Sequence, residues 1–381
     1  MTTNTSISVT LTPELRLEQA LKQAGIEKPA TVTRLIVSGT LTNDDFKYIR
    51  KKMNRTLTEL DMSEASIEDN KIGYKTFTAR LTSVSMPDSI TAIDDREFAR
   101  LEELINITVH PNNPSYSSEE GVLFDKDKTA LLHYPRRRQE EHYTIPDSVM
   151  KIKKNAFQHS RLTSITIPNS VAEIDTESFT YCINLTSVII PDSVAEIGNR
   201  VFFGCRRLTS ITIPDSVAKI GRSAFWGCKM LNSITIPSSI TEIGGCTFSD
   251  CYRLTSLFIP SSVTKISNYA FDRCFNLTIN VDSDNPVYSS ENGILFNKER
   301  TELIRYPAKH YGDYVIPSTV KKIGDSAFEE CSRLTSITIP DSVTEIDIGD
   351  YGFFDDCPAF ITVHPDNPVY KSANGEIIKK K

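Results

Sequence analysis

The sequence predicts a β-rich solenoid, a right-handed coil of short parallel strands, and two observations support this prediction. The first is a set of prolines at a nearly fixed interval of 22 or 23 residues: Pro146, Pro168, Pro191, Pro214, Pro237 and Pro260, with Pro317 and Pro340 again 23 apart. The second is the alternation of apolar residues before each proline, as in Leu208, Ile211 and Ile213, which is typical of a short strand with one buried face. A period in the twenties indicates coils that bury their apolar faces only by stacking.

One coil runs from Leu208 to Cys228, "LTSITIPDSVAKIGRSAFWGC". We expect Pro214 to end the first strand and to occupy the second position of a turn, because proline has a fixed φ and no N–H. Val217 and Ile220 predict a second extended segment, and Phe225 returns the chain across the core. Stacked coils would align equivalent residues in columns, with neighbouring residues of one column about 4.8 Å apart.

Two columns are expected to be buried. The first is an aromatic spine, formed by Phe157, Phe179, Phe202, Phe225, Phe248, Phe271, Phe328 and Phe354. The second contains seven of the eight cysteines, Cys182, Cys205, Cys228, Cys251, Cys274, Cys331 and Cys357. Residues stacked one coil apart keep their Cβ atoms near 5 Å, whereas a disulfide needs about 3.8 Å, so buried reduced thiols are expected.

A third column is charged and exposed. It reads Lys151, Glu173, Glu196, Lys219, Glu242, Lys265, Lys322 and Glu345. The signs mostly alternate between neighbouring coils, which favours cross-strand ion pairs. Our hypothesis is that this ladder keeps nearly identical coils in register.

Residues 57–381 are assigned to the solenoid and residues 1–56 to an N-terminal capping region. "TPELRLEQALKQAG" has helical spacing, "VTRLIVSG" predicts a strand, and "TNDDFKYIRKKM" predicts a helix opened by the capping pair Thr42 and Asp45. Two similar inserts interrupt the period near residues 113–135 and 285–307. Each predicts a β-hairpin around a polar four-residue turn, and a third copy begins at Asn367.

The composition argues against several classes of function. The net charge is −6 with both signs intermixed, so no nucleic-acid partner is expected. No apolar run is long enough to span a membrane, and the first residues do not form a signal peptide. An extracellular or cell-surface location requires an export signal outside this chain, and a cytoplasmic location is the alternative.

The sequence predicts neither an enzyme nor a cofactor or metal site. It contains no metalloprotease, serine-hydrolase, phosphate-loop or C-x-x-C motif. His110 and His364 recur in "TVHPNNP" and "TVHPDNP", but Asp282 takes this place in the middle copy, so a turn role is expected. The recurrent aspartates after the prolines are likewise assigned to turns.

Six residues are candidates for ligand binding. Most outward positions of the first strands carry Ser or Thr, such as Thr212 and Thr235, whereas Ile189 and Phe258 interrupt the hydroxyl groups with apolar side chains. At the position that directly follows the phenylalanine of the aromatic spine, Phe203 and Trp226 replace the polar residues of other coils. They are either two exposed aromatics in a binding hot spot or locally packed side chains.

These repeats resemble the BspA-like class of leucine-rich repeat, whose unit reads C-x-x-L-x-x-I-x-I-P-x-x-V-x-x-I-G-x-x-A-F. Cys205 to Phe225 matches it throughout. The resemblance implies a surface or secreted adhesin that binds a protein or glycan on host or microbial surfaces. A structural envelope or stalk protein without a dedicated ligand is the alternative.

Overall fold

The computed structural model of the chain describes residues 5–267, 269–347 and 357–380. The chain forms two compact units: unit 1 comprises residues 1–185 and 197–205, and unit 2 comprises residues 186–196 and 206–381. Each unit is built from short strands that pair in parallel from one coil to the next. This arrangement confirms the predicted β-solenoid.

The N-terminal region contains both predicted helices and the predicted strand. Its elements are the strand Thr5–Leu11, the helix Leu17–Gln23, the 3₁₀ turn Pro29–Thr31, the strand Val32–Leu41 and the helix Asn43–Lys52. Thr42 and Asp45 exchange backbone and side-chain hydrogen bonds, which confirms the predicted capping pair. The unpredicted strand Thr5–Leu11 pairs in parallel with Val32–Leu41. The boundary at residue 56 stays a prediction.

The first strands of the coils have alternating buried and outward side chains, and we call their outward side the strand face. In unit 1 these strands are Glu59–Asp61, Ser83–Met86, Asn106–Val109, His142–Thr144 and Ser164–Thr166. In unit 2 they are Ser187–Ile189, Ser210–Thr212, Ser256–Ile259, Thr278–Val281, Gly312–Val315, Leu334–Ile339 and Phe360–Val363.

The second strands are two or three residues long, and eight of them carry the charged column. They are Ala65–Ile67, Lys71–Ile72, Ala92–Ile93, Lys151–Ile152, Glu173–Ile174, Glu196–Ile197, Lys219–Ile220, Glu242–Ile243, Lys265–Ile266, Lys322–Ile323 and Glu345–Ile346, with 3₁₀ turns at Glu68–Asn70 and Phe98–Arg100. The predicted cross-strand pairs form: N–O distances are 2.9 Å for Lys151–Glu173, 2.6 Å for Lys219–Glu196 and 2.9 Å for Lys265–Glu242.

A turn follows each first strand, and its register corrects one expectation. The Pro214 carbonyl accepts a hydrogen bond from the Val217 backbone N at 3.1 Å, so Pro214 occupies the first turn position and not the second. The Ser216 hydroxyl donates to the Val194 carbonyl of the previous coil at 2.9 Å, and Ser239 repeats this bond to Val217. Serine hydroxyls thereby connect successive turns.

The aromatic spine is confirmed in both units. Ring centroids lie 5.0 Å apart for Phe157–Phe179 and 5.4 Å apart for Phe179–Phe202, with interplanar angles of 5° and 12°. In unit 2 the Phe225–Phe248 distance is 5.6 Å. These rings are almost fully buried, and each stabilises the fold by about 1.5–3 kcal/mol. Phe354 lies outside the described residues.

The two inserts lie at the predicted places, but each has three antiparallel strands and not the two of a simple hairpin. The strands are Tyr116–Glu119, Val122–Asp125 and Ala130–His133 in the first insert, and Tyr288–Glu291, Ile294–Asn297 and Glu302–Arg305 in the second. An additional tight turn connects the first two strands of the first insert at Glu120 and Gly121. Both residues have positive φ, a conformation that glycine adopts without strain. The third strands pair in parallel with the next second strands. The third copy contributes the strands Tyr370–Ala373 and Glu376–Lys379.

A buried asparagine begins each copy of the insert. Asn285 Nδ2 donates to the Pro260 and Val263 carbonyls of the previous turn at 2.8 and 2.9 Å. The Tyr288 hydroxyl accepts a hydrogen bond from the Ile266 backbone N at 3.0 Å. The insert thus supplies hydrogen-bond partners to backbone groups of the preceding coil. The asparagine bonds recur at Asn113 and Asn367.

Candidate ligand-binding surface

The strand face of unit 2 exposes the predicted apolar residues. Ile189 is 71% exposed and Phe258 is 54% exposed. Ile189 lies opposite Thr212 in the parallel register of Ser187–Ile189 and Ser210–Thr212, and both Thr212 and Thr235 are exposed. The structure therefore places these four candidate residues on one face of one unit.

Strand pairing is interrupted within this face. Ser210–Thr212 pairs with Ser187–Ile189, but residues 231–236, all of which are described, form no strand. A groove of about 750 Å³ opens here. Its lining includes Thr212 and Thr235, together with Asp192, Asp215 and Ser216. The groove thus brings together two predicted site residues and an incompletely paired strand edge.

The interruption coincides with a substitution that sequence reasoning overlooked. Thr209 Oγ1 donates to the Thr186 carbonyl at 3.0 Å, and Thr278 Oγ1 donates to the Thr255 carbonyl at 3.0 Å. The corresponding residue of the coil that follows Thr209 is Asn232, whose side chain instead accepts from the Ser233 hydroxyl at 3.2 Å. This departure from the threonine column is the sequence signal that marks the groove.

Two further apolar residues on the same face were not predicted. Val315 is 65% exposed and Phe360 is 58% exposed. Val315 lies opposite Thr338, and Phe360 lies opposite Ser336. Extending the outward columns beyond the second insert would have identified both residues, because they occupy strand positions equivalent to those of Ser and Thr.

The strand face of unit 1 has a polar cluster around His142. The imidazole lies 2.8 Å from Ser164 Oγ, 3.2 Å from Thr144 Oγ1 and 3.3 Å from Thr166 Oγ1. These groups hydrogen-bond to one another along the face. Such mutual satisfaction leaves them less available to a ligand than isolated hydroxyls would be.

Phe203 and Trp226 are half-buried, which favours the local-packing alternative over two fully exposed aromatics. Within unit 1 the Phe203 ring packs edge-on against Tyr181, with centroids 5.4 Å apart. The Arg200 guanidinium lies 4.2 Å from the Phe203 ring centroid. Trp226 belongs to unit 2. A binding role for either residue stays a prediction.

The cysteine column is buried, with free thiols, as predicted for most of its members. Cys182, Cys205, Cys228, Cys251, Cys274 and Cys331 are buried, whereas Cys357 is half-buried. The Cys274 thiol donates to the Phe248 carbonyl at 3.0 Å, and burial raises its pKa to about 12. Raised thiol pKa values oppose formation of the thiolate, the form that binds metals and attacks electrophiles.

The histidines of the inserts have the predicted turn role. His110 Nδ1 accepts a hydrogen bond from the Asn112 backbone N at 3.2 Å, and His364 Nδ1 accepts one from the Asp366 backbone N at 3.3 Å. In the middle copy, Asp282 Oδ1 accepts a hydrogen bond from the Asp284 backbone N at 2.9 Å. In residues 5–267, 269–347 and 357–380, no group of three or more His, Cys, Asp or Glu side chains is placed to hold a metal ion.

Neither helix in the described part of the chain has the length and apolar character needed to cross a bilayer. Among curated proteins, none is similar enough to match the chain. Several solved structures are similar. A leucine-rich repeat protein from Eubacterium ventriosum is 18% identical, with 93% of this chain and 83% of that chain covered and a TM-score of 0.44.

Two other similar structures are longer than the matched region. A leucine-rich repeat protein from Bacteroides ovatus is 25% identical, with 66% of this chain and 61% of that chain covered and a TM-score of 0.47. A leucine-rich cell surface protein from Faecalibacterium prausnitzii is 29% identical, with 74% of this chain and 61% of that chain covered and a TM-score of 0.38. The chain therefore spans about three fifths of the length of each.

The family model for the BspA-type leucine-rich repeat region matches the chain in six copies. The matches cover residues 45–121, 150–278 and 306–371, which is more than half of the sequence. The repeat columns, the aromatic spine and the parallel strands described above are the structural counterpart of these matches. The chain belongs to the BspA-type leucine-rich repeat family.

Proposed function

We propose that this chain is a non-enzymatic protein-interaction module that binds a protein ligand through the strand face of unit 2. The observation that carries the proposal is the exposure of Ile189 and Phe258 on the face that also contains the groove at Thr212 and Thr235. Isolated apolar side chains next to hydroxyl groups are suited to a hot spot, because burying either side chain contributes about 1–2 kcal/mol.

The exposed apolar residues of this face favour a protein ligand over a glycan. Ser210–Thr212 pairs with Ser187–Ile189 on one side, and the coil on its other side, residues 231–236, forms no strand but keeps the hydrogen bond from the Asn232 backbone N to the Thr209 carbonyl at 3.3 Å. An extended peptide lying along this face can place polar side chains at the groove and apolar side chains against Ile189 and Phe258. Glycan recognition would instead depend on clustered polar and aromatic groups.

We further propose that the protein acts as an adhesin at a bacterial surface and contacts host matrix proteins, host cells or other microbes. The BspA-type family and the exposed strand face support this role. Labelling of intact source cells with an antibody against the chain, before and after external protease treatment, tests the location. Signal that appears only after lysis would contradict a surface role.

Binding to an array of matrix proteins and glycans, followed by surface plasmon resonance on each hit, tests the ligand-binding role. The double variant Ile189→Thr and Phe258→Thr should weaken binding at least tenfold. Phe203→Ser with Trp226→Ser should weaken it less than threefold, because both rings are already half-buried.

The matched control is Met150→Thr with Ile183→Thr, which replaces two apolar residues of unit 1 that are 52% and 48% exposed. It should bind like the wild type. Equal losses in the control and the strand-face variant would contradict the proposed surface. Absence of any ligand would instead favour a structural envelope or stalk role.

A further inference from the structure

Unit 1 contains a surface pocket of about 400 Å³ in which the fold brings three arginines together. Arg136 and Arg137 follow the third strand of the first insert, and Arg161 precedes the first strand of the next coil. No carboxylate is present among the described residues that line this pocket, which we call the arginine pocket. The rest of its lining consists of His159, Ser160, Tyr181, Ile183 and Asn184. Three guanidinium groups without a lining carboxylate indicate an anionic ligand.

Two glutamates lie next to the arginine pocket without lining it. The Arg136–Glu102 N–O distance is 3.7 Å, which is too long for a hydrogen bond. Arg137 is 2.9 Å from the Glu103 carboxylate, and its Nε donates to the Glu102 carbonyl, but a guanidinium has further N–H donors. Arg161 is exposed and has no ion-pair partner in the described part of the chain. Each guanidinium group therefore retains donors for a ligand.

The charge balance at the pocket is positive despite these glutamates. His159 and Tyr181 form a stacked pair, with ring centroids 5.0 Å apart and an interplanar angle of 16°. Burial lowers the pKa of His159, and the Arg136 guanidinium lowers it further, by more than the Glu102 carboxylate raises it. The arginine thus has the stronger effect at the stacked rings, and an anion in the pocket would be attracted.

The arginine pocket is not part of the repeat pattern. At the second insert, whose sequence aligns with that of the first, Ala308 takes the place of Arg136. Glu330 takes the place of His159, two positions after the phenylalanine of the aromatic spine. The coils therefore fold without the three arginines and without the stacked rings, which leaves these side chains free to serve recognition.

The size and chemistry of the pocket narrow the class of ligand. Its volume of about 400 Å³ lies within the range of small-molecule sites, about 300–1,000 Å³, and exceeds the space that one oxyanion fills. Guanidinium groups bind planar oxyanions in pairs of hydrogen bonds, and the Asn184 amide and the Tyr181 phenol add partners for hydroxyl groups. The net charge of −6 with intermixed signs argues against nucleic acid. The expected ligand combines an acidic group with several hydroxyls.

We propose that the arginine pocket binds an acidic saccharide of about two sugar rings, a size suited to the volume of the pocket. Its carboxylate or sulfate group would bond to the guanidinium groups of Arg136, Arg137 and Arg161, and its hydroxyls to the neutral lining. This site belongs to unit 1 and is independent of the protein-binding surface proposed for unit 2, so the failure of one proposal leaves the other standing.

Calorimetry and saturation-transfer NMR on the full chain test the proposal with three probes: digalacturonate, which has carboxylates only, a sulfated heparin disaccharide, and neutral lactose. At least one acidic probe should bind saturably in low salt, and lactose should not bind. The tighter acidic probe identifies carboxylate or sulfate as the recognised group. Inorganic sulfate that binds as tightly as both acidic probes, or a phosphoserine peptide that binds more tightly than either, would overturn the proposal.

Arg136→Ala with Arg161→Ala should lower the affinity for the acidic probe at least tenfold, because two charge-assisted contacts are lost. The matched control, Lys309→Ala with Arg333→Ala, removes the same charge at the second insert and the coil after it, and it should lower the affinity less than twofold. Equal losses in the two double variants would mean unspecific attraction and would overturn the proposal.

Asn184→Asp provides a variant that keeps all three arginines and the size of the side chain. It adds a carboxylate to the half-buried lining, so it should also weaken binding of the acidic probe at least tenfold while circular dichroism stays like that of the wild type. Absence of saturable binding of both acidic probes by folded wild-type protein would overturn the proposal. Unchanged affinity in both Asn184→Asp and the double arginine variant would overturn it equally.

Discussion

The Lys219 ammonium lies 2.6 Å from the Glu196 carboxylate, one coil away on the second strands. The same relation joins Lys265 to Glu242 at 2.9 Å. In both pairs the side chains are about half to two-thirds exposed, so each contributes modestly, about 0.2–1 kcal/mol. Their repetition at fixed positions is the basis of the hypothesis that they align the coils.

Reversing both lysines, Lys219→Glu with Lys265→Glu, should lower the thermal unfolding midpoint by about 2–4 °C, because two attractions become repulsions between adjacent strands. Differential scanning calorimetry in low salt measures the shift, and added salt should reduce it. The control variant Lys28→Glu with Lys371→Glu changes exposed lysines outside the ladder. A shift of the same size in the control would refute the register hypothesis.

Asn285→Asp should reduce the free energy of unfolding by about 3 kcal/mol or more, although the side chain keeps its size. The change removes both donors to the Pro260 and Val263 carbonyls and introduces an acidic group at a fully buried position. Urea unfolding followed by circular dichroism measures the loss.

The matched control for this prediction is Asn276→Asp. Asn276 is exposed, and its amide also donates to a backbone carbonyl, that of Tyr252 at 2.9 Å. We expect a loss of less than about 1 kcal/mol there, because water can replace the bond. Similar losses at both positions would show that the buried asparagine has no special structural importance.

Thiol labelling should follow burial. With iodoacetamide at pH 8, half-buried Cys246 should react first and Cys357 more slowly, because burial raises the Cys357 pKa. Buried Cys251 and Cys274, whose pKa values are raised further, should react only after unfolding in urea. Peptide mass spectrometry over time gives each rate. Rapid labelling of Cys251 in native protein would contradict the buried column.

His133 should make unit 1 less stable in acid. Its pKa is lowered from 6.5 to about 3 by burial, so between these values the unfolded chain binds a proton that the folded chain does not. The stabilisation is present above pH 6.5 and is lost as pH falls toward 3, by up to about 1.4 kcal/mol per pH unit.

The measurement for this prediction is urea unfolding of wild type and His133→Leu across pH 7.5 to 4. The difference in unfolding free energy between the two proteins should change steadily in favour of the variant below pH 6.5. A difference that is independent of pH would mean that His133 titrates normally in the folded protein.

The repeated columns could be predicted because each residue type is required by the same environment in every coil. The burial of Phe179 and Cys205 could be predicted because the neighbouring coils have the same residues at the same spacing. The position of the proline within each turn was harder to predict from the sequence. Pro214 fits the first or the second position of a turn by composition, and the Val217 hydrogen bond decides between them.

The candidate surface could be predicted in part. Ile189 and Phe258 occupy outward strand positions where other coils have Ser or Thr, so their exposure could be predicted from the sequence. The exposure of Phe203 could not be predicted, because it depends on contacts with Tyr181 and Arg200 from other positions. The groove also escaped prediction, because the one departure that accompanies it, Asn232 in the threonine column, does not by itself give a reason for residues 231–236 to lose their strand pairing, which depends on tertiary context.

The hydrogen bonds of Asn285 and Tyr288 make the insert a transferable module. Within its first four residues the insert carries the groups that complete the preceding turn and the preceding second strand. The same asparagine bonds recur at Asn113 and Asn367, which is the pattern expected if one segment was duplicated at several coil boundaries.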